Sequence, residues 1–276
     1  FDPGGAGGEF INQGLVQNAG GTLTLLKNWD NNATFELSSG TVNLGGNFTL
    51  ADLGTFDRGG GSVNLTGVLD NTGTTLSLDA ASGSWNLAGG RINNGTIETA
   101  DDATLVVSNN SNNRLSGVTL NSDISVSTTS ARLRLSNGVT INSTLSIDGS
   151  NVALVSDTTQ TIDGSGTIRF TGNGSPSDLR VDGGTTLTLG ENLTVSGGNA
   201  RLGAVFGVGG NSTLINDGTI IADLPGQALS FDPGGAGGEF INQGLVQNAG
   251  GTLTLLKNWD NNATFELSSG TVNLGG

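Results

Sequence analysis

Apolar and polar residues alternate along this chain in short bursts. Thr22-Leu23-Thr24-Leu25, Thr75-Leu76-Ser77-Leu78, Arg132-Leu133-Arg134-Leu135 and Thr186-Leu187-Thr188-Leu189 each put two Leu on one side of an extended segment and two polar residues on the other. A period of two predicts half-buried β-strand. Gly, Asn, Asp and Ser stand between the bursts, and these residues tolerate the left-handed backbone of tight turns. No apolar stripe at helical spacing survives the density of Gly, so no helix is predicted.

The bursts belong to longer recurrences. Gly40-Thr41-Val42-Asn43-Leu44 returns as Gly61-Ser62-Val63-Asn64-Leu65 and as Gly83-Ser84-Trp85-Asn86-Leu87. A second series runs Val118-Thr119-Leu120-Asn121, Val139-Thr140-Ile141-Asn142 and Gln160-Thr161-Ile162-Asp163. A third has the form Ile-Asn-x-Gly and begins at Ile11, Ile92, Ile215 and Ile241. Steps of roughly 21 residues, each holding about three short strands, match the arithmetic of a parallel β-solenoid. Leu, Ile, Val and Phe then stack inward, and Thr, Ser, Asn and Arg face water. Leu133 is predicted to be core and Arg132 and Arg134 outward. Asn43, Asn64 and Asn86 are placed either to ladder their amides up the stack or to act as plain turn formers. A Gly-rich β-sandwich or barrel is the alternative fold.

One repeat is identical over its whole length. Residues 231–276 have the same sequence as residues 1–46. The expected organisation is one 230-residue unit, a continuous β-solenoid over 1–230, with 231–276 opening the next unit. Coils of 21 to 26 residues allow ten or eleven per unit. Leu229 and Phe231 alternate as in a strand, so Phe1 is expected to fall inside one rather than at a natural terminus.

Composition narrows the chemistry. Gly accounts for 48 of 276 residues, more than twice the usual share. Charged residues are 12%, half the usual proportion, yet the chain is 34% hydrophobic and so can bury a narrow core. It has no Cys, Met, His or Tyr. This excludes disulfides, thiolate metal sites and a Ser-His-Asp triad, and removes the commonest general base. A net charge of −14 argues against nucleic acid as a partner. No apolar run is long enough for a transmembrane helix.

GTVNLGG (41–46, with Gly40), GSWNLAGG (83–90), INNGTIETADDATL (92–105) and GVTINSTLSIDGS (138–150) give the chain a texture that resembles the secreted haemagglutinin-like and adhesin-like tandem-repeat exoproteins of bacteria such as cyanobacteria and planctomycetes. The resemblance implies a right-handed parallel β-helix outside the cell or on its surface. It also implies a structural repeat of an extracellular filament, stalk or sheath, whose partners are adjacent copies of its own repeat. Lateral self-association belongs to the same picture. A rival reading is an adhesin gripping a surface or a cell-surface glycan through loops at 2–9, 172–178 and 223–227. A polysaccharide-acting β-helix enzyme comes third. The resemblance carries no catalytic residues.

Other chemistry finds little footing. The tightest acidic group, Glu98, Asp101 and Asp102, is expected to be a solvated turn. Gly4-Gly5-Ala6-Gly7-Gly8-Glu9 approaches a calcium-binding repeat but has Glu where Asp belongs and occurs once per unit. Trp29 and Trp85 are expected in the core rather than as sugar platforms. Thr22/Thr24 and Thr186/Thr188 would need matching Thr pairs on every coil to form a flat ice-binding array. No phosphate-binding loop and no complete dinucleotide fingerprint occurs. The chain is therefore expected not to be an enzyme, with no catalytic residue, no metal site and no cofactor.

Overall fold

The computed structural model describes residues 1–5, 7–203 and 210–275. Strand follows strand throughout, and the helical content among these residues is a single 3-10 turn at Ala51–Leu53. Among the described residues the strand pairs are parallel, and each strand pairs with counterparts roughly one coil away in sequence. The fold is thus an all-β parallel solenoid, as the periodicity predicts. The chain divides into two units, Phe1–Ser122 and Asp123–Gly276.

In the first unit strands return to three stations. One holds Asn47–Thr49, Val68–Asp70, Arg91–Asn93 and Arg114–Ser116 in register. The second holds Ser62–Leu65, Trp85–Leu87 and Leu105–Val107. The third holds Thr75–Leu78, Thr96–Thr99 and Thr119–Leu120. Near the start the stations merge at their corners. Leu15–Leu25 pairs with Thr34–Leu44 along its length, with register shifts around Ala19. The first half of Thr34–Leu44 then pairs with Thr55–Arg58 and the second half with Ser62–Leu65. One long strand therefore bends round a corner of the coil and serves two stations.

The second unit repeats the scheme. Ile124–Val126, Thr144–Ile147, Thr167–Phe170, Thr194–Gly197 and Thr219–Ala222 form one column. Arg132–Ser136, Ala153–Ser156, Ser177–Val181, Ala200–Leu202 and Ala228–Phe231 form another. Gln160–Ile162, Thr186–Leu189, Thr213–Asn216, Glu239–Asn242 and Asn258–Asn261 form the third. The bent strand Leu245–Leu255 pairs with Thr219–Ala222 through its first half and with Ala228–Phe231 through its second.

Register turns the sequence alternation into core columns. Phe48 faces Leu69, which faces Ile92, which faces Leu115, and all four are buried. In the second unit Leu154, Leu179, Leu202 and Phe231 make an equivalent column. Leu133, Leu154's partner, is buried while Arg132 beside it is exposed. Such columns remove apolar surface from water at roughly 25 cal/mol per Å², and parallel ladders satisfy the backbone along the stack. Non-glycine residues with positive φ are mostly Asn and Asp, including Asn94, Asp101, Asp102, Asn137, Asn151 and Asn199. These residues pay little steric penalty there because their side chains bond locally.

One recurrence misled. The Ile-Asn-x-Gly series does not mark a common inward position. Ile92 is core, but Ile11 is exposed and Ile215 and Ile241 point outward, leaving Asn12, Asn216 and Asn242 buried instead. In Glu9–Asn12 the inward pair is Phe10 and Asn12, whereas in Arg91–Asn93 the single inward residue is Ile92. A one-residue change of phase turns every side chain over.

Candidate functional site: the stacking faces of the coils

The features that recur at coil spacing bond one coil to the next. Asn64 Nδ2 donates to Asn43 Oδ1 at 2.8 Å, and Asn86 Nδ2 donates to Asn64 Oδ1 at 2.9 Å. Asn43 in turn donates to Thr24 Oγ1 at 3.0 Å. The series is an amide ladder. A second, buried ladder was hidden in the Ile-Asn-x-Gly motif. Asn12 donates to Asn31 Oδ1 at 2.6 Å, Asn216 to Asn242 Oδ1 at 2.8 Å, and Asn242 to Asn261 Oδ1 at 2.7 Å. Its sequence signal was Asn followed two residues later by Gly, since Asn12 and Asn242 also bond the Gly14 and Gly244 backbone.

Trp29 and Trp85 are buried, as expected. Trp29 Nε1 donates to Gly45 O at 2.8 Å, and its ring stacks on Phe48 of the next coil with centroids 4.7 Å apart. Phe56 lies edge-on to both Phe35, at 5.4 Å, and Trp85, at 6.5 Å.

The two identical sequence copies differ in which of their neighbours cover them. In the first copy the coil Asn28–Leu44 is covered by Asn47–Leu65. In the second copy the same sequence, Asn258–Leu274, lies open. Trp29 is 3% exposed and Trp259 40%; Leu37 is 0% and Leu267 60%; Leu44 is 0% and Leu274 66%. The open side forms an apolar depression of about 300 Å³ lined by Trp259, Asn261, Phe265, Leu267, Val272 and Leu274. The other side shows the reverse. Ile11 and Leu15 are exposed in the first copy, whereas in the second copy Glu239–Asn242 and Leu245–Asn248 lie against Thr213–Asn216 and Thr219–Ala222.

A group of charged side chains in the second unit forms a second feature. Asp178 is buried and receives Arg201 Nε at 2.8 Å and Arg180 at 3.3 Å. Arg134 meets Asp157 at 3.3 Å and Asp182 at 3.6 Å. Arg134 thus faces outward but into an ion-pair group. The expected loop at 172–178 is exposed over Asn173–Pro176, while its last residues, Ser177 and Asp178, belong to a buried strand. The segment 223–227 is tied down as well: Asp223 pairs with Arg169 at 2.5 Å and Gln227 Nε2 donates to Asn173 Oδ1 at 3.2 Å. Apart from Asp178–Arg180, two residues apart on one strand, the ion pairs join opposite charges about one or two coils apart in sequence.

The remaining candidates disperse. Asp101 and Asp102 sit exposed in left-handed turn conformations, and Glu98 accepts from Asn121 at 3.3 Å. Ala6 of the glycine-rich run lies outside the described residues. Next to that run, Asp2 pairs with Lys27 at 2.8 Å, and this contact holds the Asp2 carboxyl below its usual range. No group of three or more Asp or Glu among the described residues could hold a metal ion. Thr188 lies beside Ile215 and Thr24 beside Asn43, so Thr pairs do not continue from coil to coil. No described helix is long and apolar enough to cross a membrane. The geometry defines a class, a parallel β-solenoid whose coils are joined by amide ladders. Comparison with family models, curated proteins and solved structures finds no match for the particular chain.

Proposed function

We propose that this chain is a structural repeat element of an extracellular filament, stalk or sheath. The observation that carries this reading is that the two identical copies fold into the same coil pairing, Leu15–Leu25 with Thr34–Leu44 and Leu245–Leu255 with Thr264–Leu274 in the same register. A sequence that repeats exactly and folds the same way each time is suited to adding coil upon coil. The amide ladders add directional bonds along the stack, and continued coils cover strand edges that would otherwise template disordered association. The extracellular setting rests on the resemblance in sequence texture. Partners are further copies of the repeat. Negative-stain microscopy of the native material tests the reading: filaments are expected, and uniformly compact particles would overturn it.

A further inference from the structure

We propose that the cleft between Thr55–Arg58 and Thr75–Leu78, inside the first unit, binds a neutral pyranose unit. The site goes beyond the filament reading and does not depend on it. Successive coils here pair at two stations and part at the third. Asn47–Thr49 pairs with Val68–Asp70, and Ser62–Leu65 pairs with Trp85–Leu87. Between these stations Thr55–Arg58 pairs only with 34–37, and Thr75–Leu78 only with Thr96–Thr99. Thr34, Thr55, Thr75 and Thr96 follow one another in steps of 21, 20 and 21 residues, so no strand is missing and two consecutive coils stand apart. Each edge turns backbone N–H and C=O groups to the gap with no strand opposite. The cause is local. Three residues separate Arg58 from Ser62, but five separate Leu78 from Ser84 one coil on. Asp79 folds the longer turn by accepting from Ala81 N and Ser82 N, both at 2.9 Å. Arg58 then bridges the coils in place of backbone bonds, donating to Ser82 O at 2.6 Å and Ser84 O at 2.9 Å.

The cleft has a volume of about 350 Å³, at the small end for a ligand pocket. Its lining is apolar on the inner side, where Leu53, Leu76 and Trp85 are buried and Phe56 is half-buried. Phe35, the register partner of Phe56, is buried, so the parting is what bares Phe56. The mouth is polar, with Thr75 and Ser77 exposed. Trp85 is 1% exposed and its Nε1 has no acceptor, a rare condition for a buried N–H. A matching ligand needs an apolar face for Phe56, an acceptor for the indole N–H, and hydroxyls around its rim for the strand edges, Thr75 and Ser77. A pyranose combines these, with C–H bonds on its faces and ring and hydroxyl oxygens at its edge. A wholly apolar molecule would leave Nε1 and both strand edges unpaired. An anion would face Asp79 with no cation in the lining. An inserted peptide strand would need the coils held at twice the usual strand spacing, while the stations on either side stay paired.

The test uses the full chain, isotope-labelled for NMR. It has three Trp and so three indole N–H signals, and Trp85→Phe identifies the one from Trp85 by its loss. The chain is titrated with the methyl glycosides of glucose, galactose and N-acetylglucosamine. At least one is expected to move the Trp85 signal saturably and leave those of Trp29 and Trp259 in place. Trp85→Phe keeps a ring but removes the donor, and saturation transfer from protein to that glycoside should fall severalfold. Ser77→Tyr, on the exposed side of its strand at the mouth, should abolish the shift with the melting temperature unchanged. No saturable shift with any of the three glycosides would overturn the proposal. So would an equal shift with cyclohexanol, a ring with one hydroxyl, because the hydroxyl rim would then not matter. Persistence of the shift in Ser77→Tyr would place binding elsewhere and overturn it too. A water held on the Trp85 indole N–H and undisturbed by saturating glycoside would do the same, because the donor would already have its partner.

Discussion

At the residue scale, face assignment decides the cost of a change. Leu133 is fully buried between Arg132 and Arg134. Leu133→Asp should cost about 4 kcal/mol, because a carboxylate is desolvated with no partner. Arg132→Ser, on the exposed side of the same strand, should stay within ~0.5 kcal/mol. Urea midpoints measure both, and equal shifts would mean the strand is assigned to the wrong face. Asn64 both donates to Asn43 and accepts from Asn86, so Asn64→Ala should lose ~1–2 kcal/mol. Turn carboxylates set the response to acid. Asp79 accepts from the backbone and side chain of Ser82 and from Ala81 N, and these bonds lower its pKa below 3.8. A depressed folded pKa means the stabilisation is complete above the unfolded value and is lost as pH falls through the folded one. Thermal melts should therefore drop on acidification below about pH 4, and Asp79→Ala should make that drop smaller. An unchanged drop would show that the turn bonds do not favour the charged form.

At the scale of the element, alternation is strong evidence about strands and weak evidence about phase. Thr75–Leu78 and Thr186–Leu189 have one consistent inward set, because a Leu pair fixes the facing. Ile-Asn-x-Gly has no such pair. Ile11 and Ile92 share a motif but not a direction, because Phe10 takes the core in one strand and Ile92 in the other. The Asn43–Asn64–Asn86 ladder was visible because its residues recur at a fixed place in a repeated motif. The Asp178 group was not, because Arg201 reaches Asp178 from the neighbouring strand only through register, although Arg180 sits two residues along the same strand. Removing Asp178 takes from Arg180 and Arg201 a buried carboxylate they share. Asp178→Ala should accordingly cost ~3 kcal/mol, more than an exposed pair contributes. Coil corners make a separate demand. Gly197 has φ +120°, and a Cβ there would come within 1.9 Å of Phe170 O. Gly197→Ala must therefore push two paired strands apart, and the expected loss is ~2–3 kcal/mol by urea melt.

At the scale of the whole molecule, charge and stacking act against each other. The chain carries −14 at neutral pH, and its isoelectric point is about 4.1. Like charges oppose side-by-side association of copies, whereas the apolar columns and backbone ladders within the stack do not depend on ionic strength. Lateral bundling should therefore grow as salt rises or as pH falls toward the isoelectric point. Divalent cations enter the same balance as screening ions. Among the described residues no group of carboxylates is placed to hold one, and the backbone ladders and apolar columns need none. Chelation with EDTA at constant ionic strength should therefore leave the β-signal in circular dichroism and the melting temperature unchanged. A melting temperature that falls on chelation and returns with calcium would mean that an oxygen-lined cation site supports the fold, because screening alone cannot be titrated away by a chelator at fixed ionic strength.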